Sequence, residues 1–297
     1  MMIKTIILGT AGSAPTKERR MPSVAITYEG DTLLFDCGEG TQFQMLEHDI
    51  NPVRVKAIFI SHAHGDHTIG IAGLVRTMGM NNRKAPLMIF VPAGDEKVIE
   101  NLIIFDRAPI TYKIIIRGIR SGVVYSGKGY EVSAFKLTHT IPTYGYVFKE
   151  KDKRRFNKGL AHRLGIRGSM FATLEKRGNI NIGKKRVTLK QVTWEQEGKK
   201  VVYATDTRPT KTTLAAAKNA DLLIHESSYK AAEVKLAKMR KHSSAGEVAL
   251  LAKKAHAKRL VLTHISARYR TDAELLSDAR KVFKNTVVAH DGYALVI

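Results

Sequence analysis

Residues 56–67, KAIFISHAHGDH, carry an apolar run directly into three histidines and an aspartate packed within six positions. The stretch KAIFIS reads as a buried strand. His62, His64, Asp66 and His67 therefore fall on the loop at that strand's carboxyl end. Four groups able to bind metal are too many for ordinary core packing, where polar side chains need partners. The chain must bring this loop to a place where other donors can meet it. In open α/β sheets that place is the edge formed by the carboxyl ends of the strands.

Other strand ends supply the donors. His139 follows YEVSAFKLT, Asp206 follows VVYAT and His264 follows RLVLT. Imidazole nitrogen with carboxylate oxygen suits zinc, and also manganese or iron. One catalytic zinc needs three protein ligands plus water, and five histidines with two aspartates overshoot that number. Two metals sharing one carboxylate would use all seven. Such a pair generates a hydroxide and binds a phosphoryl or carbonyl oxygen. A lone His139, Asp206 or His264 reads better as a surface or satisfied core residue than as a ligand; the cluster changes that reading.

The remaining pattern is α/β. IKTIILG, PSVAITYE and TLLFDC read as strands, the last two joined in a hairpin at Gly30-Asp31. Gly40 to Glu47 reads as a helix, IAGLVRTM as a helix, LMIFVP and YKIIIRGI as strands, with a helix at Gly94–Ile104 between them. YEVSAFKL and YGYVFKE are strand-like. After residue 198 VVYAT, DLLIHE and RLVLTHI alternate with the helical stretches TTLAAAKN, SAGEVALLAKKAHA and AELLSDARKVF, and VVAHDGYALVI closes the chain as a strand pair. Strands and helices alternating in both halves predict two β-sheets packed face to face with helices outside.

Length and composition are consistent with one such domain. The 297 residues are 44% hydrophobic, which suits one large domain or a domain with an insertion. No run of 18 apolar residues marks a transmembrane helix. The N-terminal MMIKTIILG resembles a signal peptide only briefly and reads better as the first strand. Cys37 is the single cysteine, so no disulfide forms within the chain. A cytoplasmic protein is the simplest expectation.

Charge points to the partner class. Lys and Arg number 49 against 27 Asp and Glu, a net +22. That field favours polyanions, nucleic acid before acidic membrane. A generally basic or thermophilic surface is the alternative. The excess is localised: Lys149 to Lys200 holds 16 Lys/Arg and 5 Asp/Glu. This stretch is sparse in apolar residues, breaks the α/β rhythm, and reads as a basic insertion at about 150–192, or else a solvated loop.

Seven segments together carry a resemblance. LGTAGSAPTKERR, LLFDCGEGTQFQM, ISHAHGDHTIGIAGL, ATDTRP, IHESSY, KHSSAGEVA and LTHISARY are similar to segments of the metallo-β-lactamase superfamily and, within it, of the ribonuclease Z family. The metal motif is shared by many chemistries of the superfamily; the set of seven is far more specific and spans almost the whole chain. The resemblance implies an αββα sandwich in a single domain, 1–297, with an inserted flexible arm. It implies an endoribonuclease that removes the 3′ trailer from precursor tRNA, leaving a tRNA 3′-hydroxyl and a 5′-phosphate on the trailer. It assigns His62, His64 and His139 to one metal, Asp66, His67 and His264 to the other, and Asp206 to both. Two divalent ions are implied, zinc first and manganese second. No membrane partner is expected, and the family commonly forms homodimers.

The resemblance also implies roles beyond the ligands. Asp66 would accept a proton from the attacking water. His242, in KHSS, would protonate the leaving 3′ oxygen, with Glu226, in IHESS, raising its pKa and fixing its tautomer. From spacing alone His242 could be a residue at a helix start and Ser243 a cap. Ser227-Ser228 stands where Ala-Thr is common and Ser244 where Thr is common; Ser243 and Ser244 still offer hydroxyls to phosphate. Pro15, Lys17 and Arg19 match a Pro-x-Lys-x-Arg-Asn loop that reads the tRNA 3′ end, with Arg20 in place of Asn. The basic insertion occupies the position of the family's tRNA-binding arm, though GIRGSMF lacks the usual proline at its tip. Asp36, in LFDCGEG, is placed either to hydrogen-bond a ligand histidine or to cap a turn. Cys37 reads as a small buried residue. His48, His162, His225, His256 and His290 carry no strong claim, although His162 lies in the basic stretch. A small-molecule hydrolase of the same fold is the alternative function; an RNA-binding module with a dead site is disfavoured because no metal ligand is missing.

Overall fold

The computed structural model describes residues 2–104 and 109–297. Seven strands form one sheet, in the spatial order Tyr293–Val296, Lys4–Gly9, Ser23–Tyr28, Asp31–Phe35, Val55–Phe59, Leu87–Pro92, Ile114–Ile119. The first three pairings are antiparallel and the last three parallel. A second seven-stranded sheet has the order Thr286–Val288, Leu260–Thr263, Leu222–Glu226, Lys200–Ala204, Tyr144–Glu150, Tyr130–Lys136, Gly122–Gly127. Its first three pairings are parallel, and Lys200–Ala204 meets Tyr144–Glu150 antiparallel.

Strand period explains the layers. Alternate side chains of one strand face opposite sides of its sheet. Leu33, Phe35, Ala57 and Phe59 point inward to meet Tyr146, Val201, Tyr203, Ile224 and Val261 from the other sheet. Leu34, Ile58 and Ile60 point outward onto Met45, Ile71, Leu74 and Ile99 of the helices Thr41–Glu47, Gly70–Met80 and Glu96–Ile103. Val202, Leu223, Leu260 and Leu262 do the same against Val248, Ala249, Leu251 and Leu275 of the helices Ala245–Lys254 and Ala273–Arg280. Parallel strands covered on both faces need continuous apolar runs, which is why KAIFIS, LLIHE and LVLT read as buried. The order is helix, sheet, sheet, helix, as the sequence predicts.

Several local expectations change. The hairpin turns on Glu29-Gly30, not Gly30-Asp31, because Tyr28 pairs with Asp31. Both turn residues have positive φ, 50° and 88°, the twist a two-residue hairpin favours. The metal motif is not all loop: Gly65–Thr68 forms a short helix that carries Asp66 and His67. The strand Gly122–Gly127 and the helix Val234–Met239 add to the expected elements.

The described residues divide into two compact units, Met1–Lys149 with Lys199–Ile297, and Glu150–Gly198. The second is folded. It contains two small ribbons, Lys153–Phe156 with Thr193–Gln196 and Asn179–Ile182 with Lys185–Thr188. The helices Lys158–Arg163, Met170–Arg177 and Leu189–Val192 complete it. Ala161, Ile166, Leu174, Val187, Leu189 and Val192 form its own core. No helix among the described residues is long and apolar enough to cross a membrane.

Candidate metal centre

Strand ends from both sheets converge on one site. Asp36 follows Asp31–Phe35, His62 and His64 follow Val55–Phe59, and His139 follows Tyr130–Lys136. Asp206 follows Lys200–Ala204, Glu226 ends Leu222–Glu226, and His264 follows Leu260–Thr263. Asp36, Asp206 and His264 take positive φ of 59°, 42° and 55°. Asp and His tolerate this left-handed region better than most residues, yet it still carries strain of about 1 kcal/mol or more. The turn at each strand end swings the side chain into the shared space. Backbone approach is equally tight: a Cβ on Gly12 would lie 2.9 Å from His264 Nδ1, and one on Gly70 would lie 1.9 Å from the Gly38 carbonyl oxygen.

The seven candidate ligands form two groups with one member in common. His62, His64, His139 and Asp206 each offer a donor atom within 4.8 Å of the others, and so do Asp66, His67, Asp206 and His264. Asp206 Oδ2 lies 3.7 Å from His62 Nε2 and 3.6 Å from His139 Nε2. Its Oδ1 lies 3.4 Å from His67 Nε2 and 3.0 Å from His264 Nε2. Asp66 Oδ2 lies 3.4 Å from His67 Nε2 and 3.7 Å from His264 Nε2. His67 Nε2 and His264 Nε2 are buried without a hydrogen-bond partner among the described residues. Buried imidazole nitrogens set against carboxylates are the donor set a divalent cation completes. Burial drives the His62 imidazole well below its ordinary pKa, toward the neutral form that ligates. Burial works to raise the Asp206 carboxyl, but His264 and His67 outweigh it and hold it well below the carboxylate range.

Surrounding groups fix the ligands. Asp36 accepts from the Ser61 N–H at 2.7 Å and hydroxyl at 2.9 Å, from the Tyr203 hydroxyl at 2.7 Å, and pairs with His67 Nδ1 at 2.7 Å. His67 is thereby turned with Nε2 toward Asp66 and Asp206. Ser61 Oγ also meets His62 Nδ1 at 2.9 Å, and Ser228 Oγ meets His264 Nδ1 at 3.0 Å.

Beside the ligands stands a second pair. Glu226 Oε1 meets His242 Nδ1 at 2.8 Å, and the same carboxylate accepts from the backbone N–H groups of Thr207, Ser228 and Ser243. Burial works to lower the His242 imidazole, but Glu226 outweighs it and raises it above its ordinary value. The His242 ring centroid lies 5.0 Å from that of His139 and 5.5 Å from that of His264. His64, Asp66, His139, Asp206 and His242 line a cavity of about 360 Å³.

Not every sequence-derived candidate faces that cavity. Ser243 is buried and donates to the Thr207 carbonyl at 2.5 Å; Ser244 is buried and caps the helix Ala245–Lys254 through Glu247. Neither hydroxyl is presented to a phosphate in this arrangement: the Ser243 hydroxyl satisfies a carbonyl of the loop that carries Asp206, and that of Ser244 the first turn of the helix. Pro15 and Lys17 are exposed. Arg19 is held inward: it donates to both Asp272 carboxylate oxygens at 2.7 Å, to Thr10 Oγ1 at 2.6 Å and to the Ala289 carbonyl at 2.8 Å. Cys37 is buried, and burial raises its thiol to about 12.

Other residues at the site were not singled out by sequence. Arg208 donates to the His242 carbonyl at 2.5 Å and to both oxygens of Glu247, so one guanidinium fixes the His242 loop to the following helix. Ser13, Tyr229, Arg240 and Arg268 line the cavity, with the Arg268 guanidinium 4.8 Å over the Tyr229 ring. The local hint for Arg208 was its place two residues beyond a strand-end aspartate; nothing in the sequence marks its distant partners.

Comparisons with known proteins agree with this geometry. Residues 3–103 match the family model described as anti-Pycsar protein Apyc1, and residues 157–265 match the beta-lactamase superfamily domain. Ribonuclease Z of Methanosarcina acetivorans is 42% identical over 294 residues, covering 98% of this chain and 96% of the relative. Ribonuclease Z of Methanosarcina mazei is 41% identical over the same length and coverage. Among solved structures, the short form of human tRNase Z superposes with a TM-score of 0.73 at 25% identity, covering 98% of each chain. The helix–sheet–sheet–helix sandwich is therefore the metallo-β-lactamase fold, and the chain belongs to the ribonuclease Z family.

Proposed function

We infer that the chain is a metal-dependent endoribonuclease that removes the 3′ trailer from precursor tRNA, cutting near the discriminator base to leave a 3′-hydroxyl on the tRNA and a 5′-phosphate on the trailer. The observation that carries the reading is Asp206, one buried carboxylate common to two ligand groups, in a chain of ribonuclease Z ancestry. His62, His64 and His139 take one cation, Asp66, His67 and His264 the other, and Asp206 both. Two divalent ions, zinc before manganese by donor chemistry, supply when bound a hydroxide at neutral pH and charge stabilisation at the scissile phosphate. Asp66 accepts a proton from the attacking water. His242, its pKa raised by Glu226, delivers a proton to the departing 3′ oxygen. Asp36 orients His67. Pro15 and Lys17 meet the tRNA 3′ end on a loop whose shape Arg19 fixes, and Ser243 and Ser244 act through the loop that holds His242.

The unit Glu150–Gly198 is proposed as the tRNA-binding arm of a single metallo-β-lactamase-like domain. Its lysines and arginines suit phosphate contacts that are independent of sequence and sensitive to salt. Lys149 pairs with Lys200 across neighbouring strands, so residues 151–198 can be replaced by a two-residue turn. That variant is expected to lose cleavage of a labelled precursor tRNA while still hydrolysing bis(p-nitrophenyl) phosphate. Equal loss of both activities removes the arm from the reading. Mapping the wild-type cut with and without chelator tests the whole reading: a cut far from the discriminator base, or none, rejects it in favour of a small-molecule hydrolase.

A cytoplasmic homodimer completes the proposal. Phe43 and Leu46 on the helix Thr41–Glu47 are 66% and 59% exposed, and Ile69 beside Gly70–Met80 is 49% exposed, apolar area of the kind an interface covers. Sedimentation velocity is expected to give about twice the 33.0 kDa chain mass, and Phe43→Glu with Leu46→Glu to give the monomer. A monomeric wild type at micromolar concentration removes the dimer.

A further inference from the structure

Trp194 is the chain's single tryptophan, and it is 53% exposed. Large aromatic side chains are costly to leave in water unless a partner covers them. It lies on the ribbon Lys153–Phe156 with Thr193–Gln196, directly opposite Arg155. Phe156, one residue on and therefore on the other face, packs against the unit's core and meets Phe171 at 5.1 Å between ring centroids. Phe156 thus faces the core, and Trp194 and Arg155 turn away from it. Arg155 Nε donates to Gln196 Oε1 at 2.8 Å, which fixes the guanidinium across the ribbon on the same face as the indole. Trp194 also borders a cavity of about 690 Å³ together with Arg154, Thr188, Lys190 and Glu195.

An exposed aromatic plane set among cations is the arrangement by which proteins hold unpaired nucleobases: the ring stacks and the cations take flanking phosphates. A protein partner is the competing occupant. The charge of Lys149 to Lys200, 16 Lys/Arg against 5 Asp/Glu, favours RNA. We propose that Trp194 is a stacking platform for an unpaired base of bound RNA, with Arg155 and Lys190 on the adjoining phosphates. The proposal rests on the RNA-processing reading above and adds a contact to a base within the unit assigned to phosphates.

Because the chain has one tryptophan, its intrinsic fluorescence reports on this position alone. The metal-loaded full chain is titrated with a ten-residue oligoadenylate, a blunt RNA duplex of ten base pairs, and heparin. Oligoadenylate is expected to quench the emission strongly, the duplex and heparin weakly. In labelled-RNA anisotropy Trp194→Ala is expected to weaken oligoadenylate binding roughly 5- to 150-fold, the range of one stacked base, and Trp194→Phe to recover most of it. Equal quenching by all three polyanions, or unchanged affinity in Trp194→Ala, overturns the platform. So does a concentration-dependent blue shift without RNA, which assigns the indole to a protein contact. Precursor cleavage by the wild type, measured alongside, keeps the two readings separate: cleavage without quenching removes only the platform, whereas quenching without cleavage removes the nuclease.

Discussion

Asp206→Asn is expected to abolish precursor cleavage and to lower the bound metal. The substitution keeps the shape of the side chain and removes its charge. Asp206 is the one member common to both ligand groups, and four imidazoles lie 3.0 to 3.7 Å from its oxygens. An amide cannot serve as a shared anionic ligand, so both positions weaken together rather than one alone. If the cations supply several kcal/mol of transition-state stabilisation, taken as about 5, their loss corresponds to roughly 10⁴-fold in rate. Metal content by elemental analysis and cleavage rate are measured on the same preparation, with near-ultraviolet circular dichroism to verify packing. A variant that retains both metals per chain and remains active would remove Asp206 from the bridging role. Retention of metal with loss of activity would leave it a catalytic group, but not a shared ligand.

The candidate ligands were legible in sequence because each follows an apolar strand. A strand of alternating or continuous apolar residues declares where it ends, and several histidines and aspartates gathered at such ends outweigh the ordinary reading of each alone. Asp36 was legible in the same way as one of two alternatives, and the structure shows the histidine contact. The groups that hold the site together were less so. Arg208 meets partners 34 and 39 residues away, and Arg19 meets Asp272 253 residues away. Such pairings arise from the packing of whole layers, and no local period announces them. Ser243 and Ser244 illustrate the same difficulty: a hydroxyl beside a histidine reads as a phosphate donor, but whether it faces the cavity or the backbone depends on the turn. The insertion was the hardest stretch. Its core has six buried side chains, Ala161, Ile166, Leu174, Val187, Leu189 and Val192, spread over short elements and a loop and interleaved with charges, so no element is long enough to give a clear helical or strand period. Loop and folded unit were therefore equally open from sequence.

Replacing His242 with Ala is expected to slow precursor cleavage by about 10² to 10⁴, the contribution of a positioned general acid, with metal content unchanged. The leaving 3′ oxygen is a poor leaving group unless protonated, and His242 is the imidazole whose pKa Glu226 raises against the effect of burial. A p-nitrophenyl phosphodiester leaves as a stable phenolate and needs no such proton, so its hydrolysis by the same variant should fall far less. This contrast separates proton delivery from general damage to the site. The separation matters because Glu226, His242 and His264 themselves form a group able to hold a metal. If His242 were a ligand, its removal would lower metal content and slow both substrates alike. Glu226→Gln should resemble His242→Ala in direction, with a smaller effect, since an amide still holds the ring but no longer favours its charged form. Loss of metal in His242→Ala, or equal slowing of both substrates, would assign His242 to ligation and leave the departing oxygen without its proton donor.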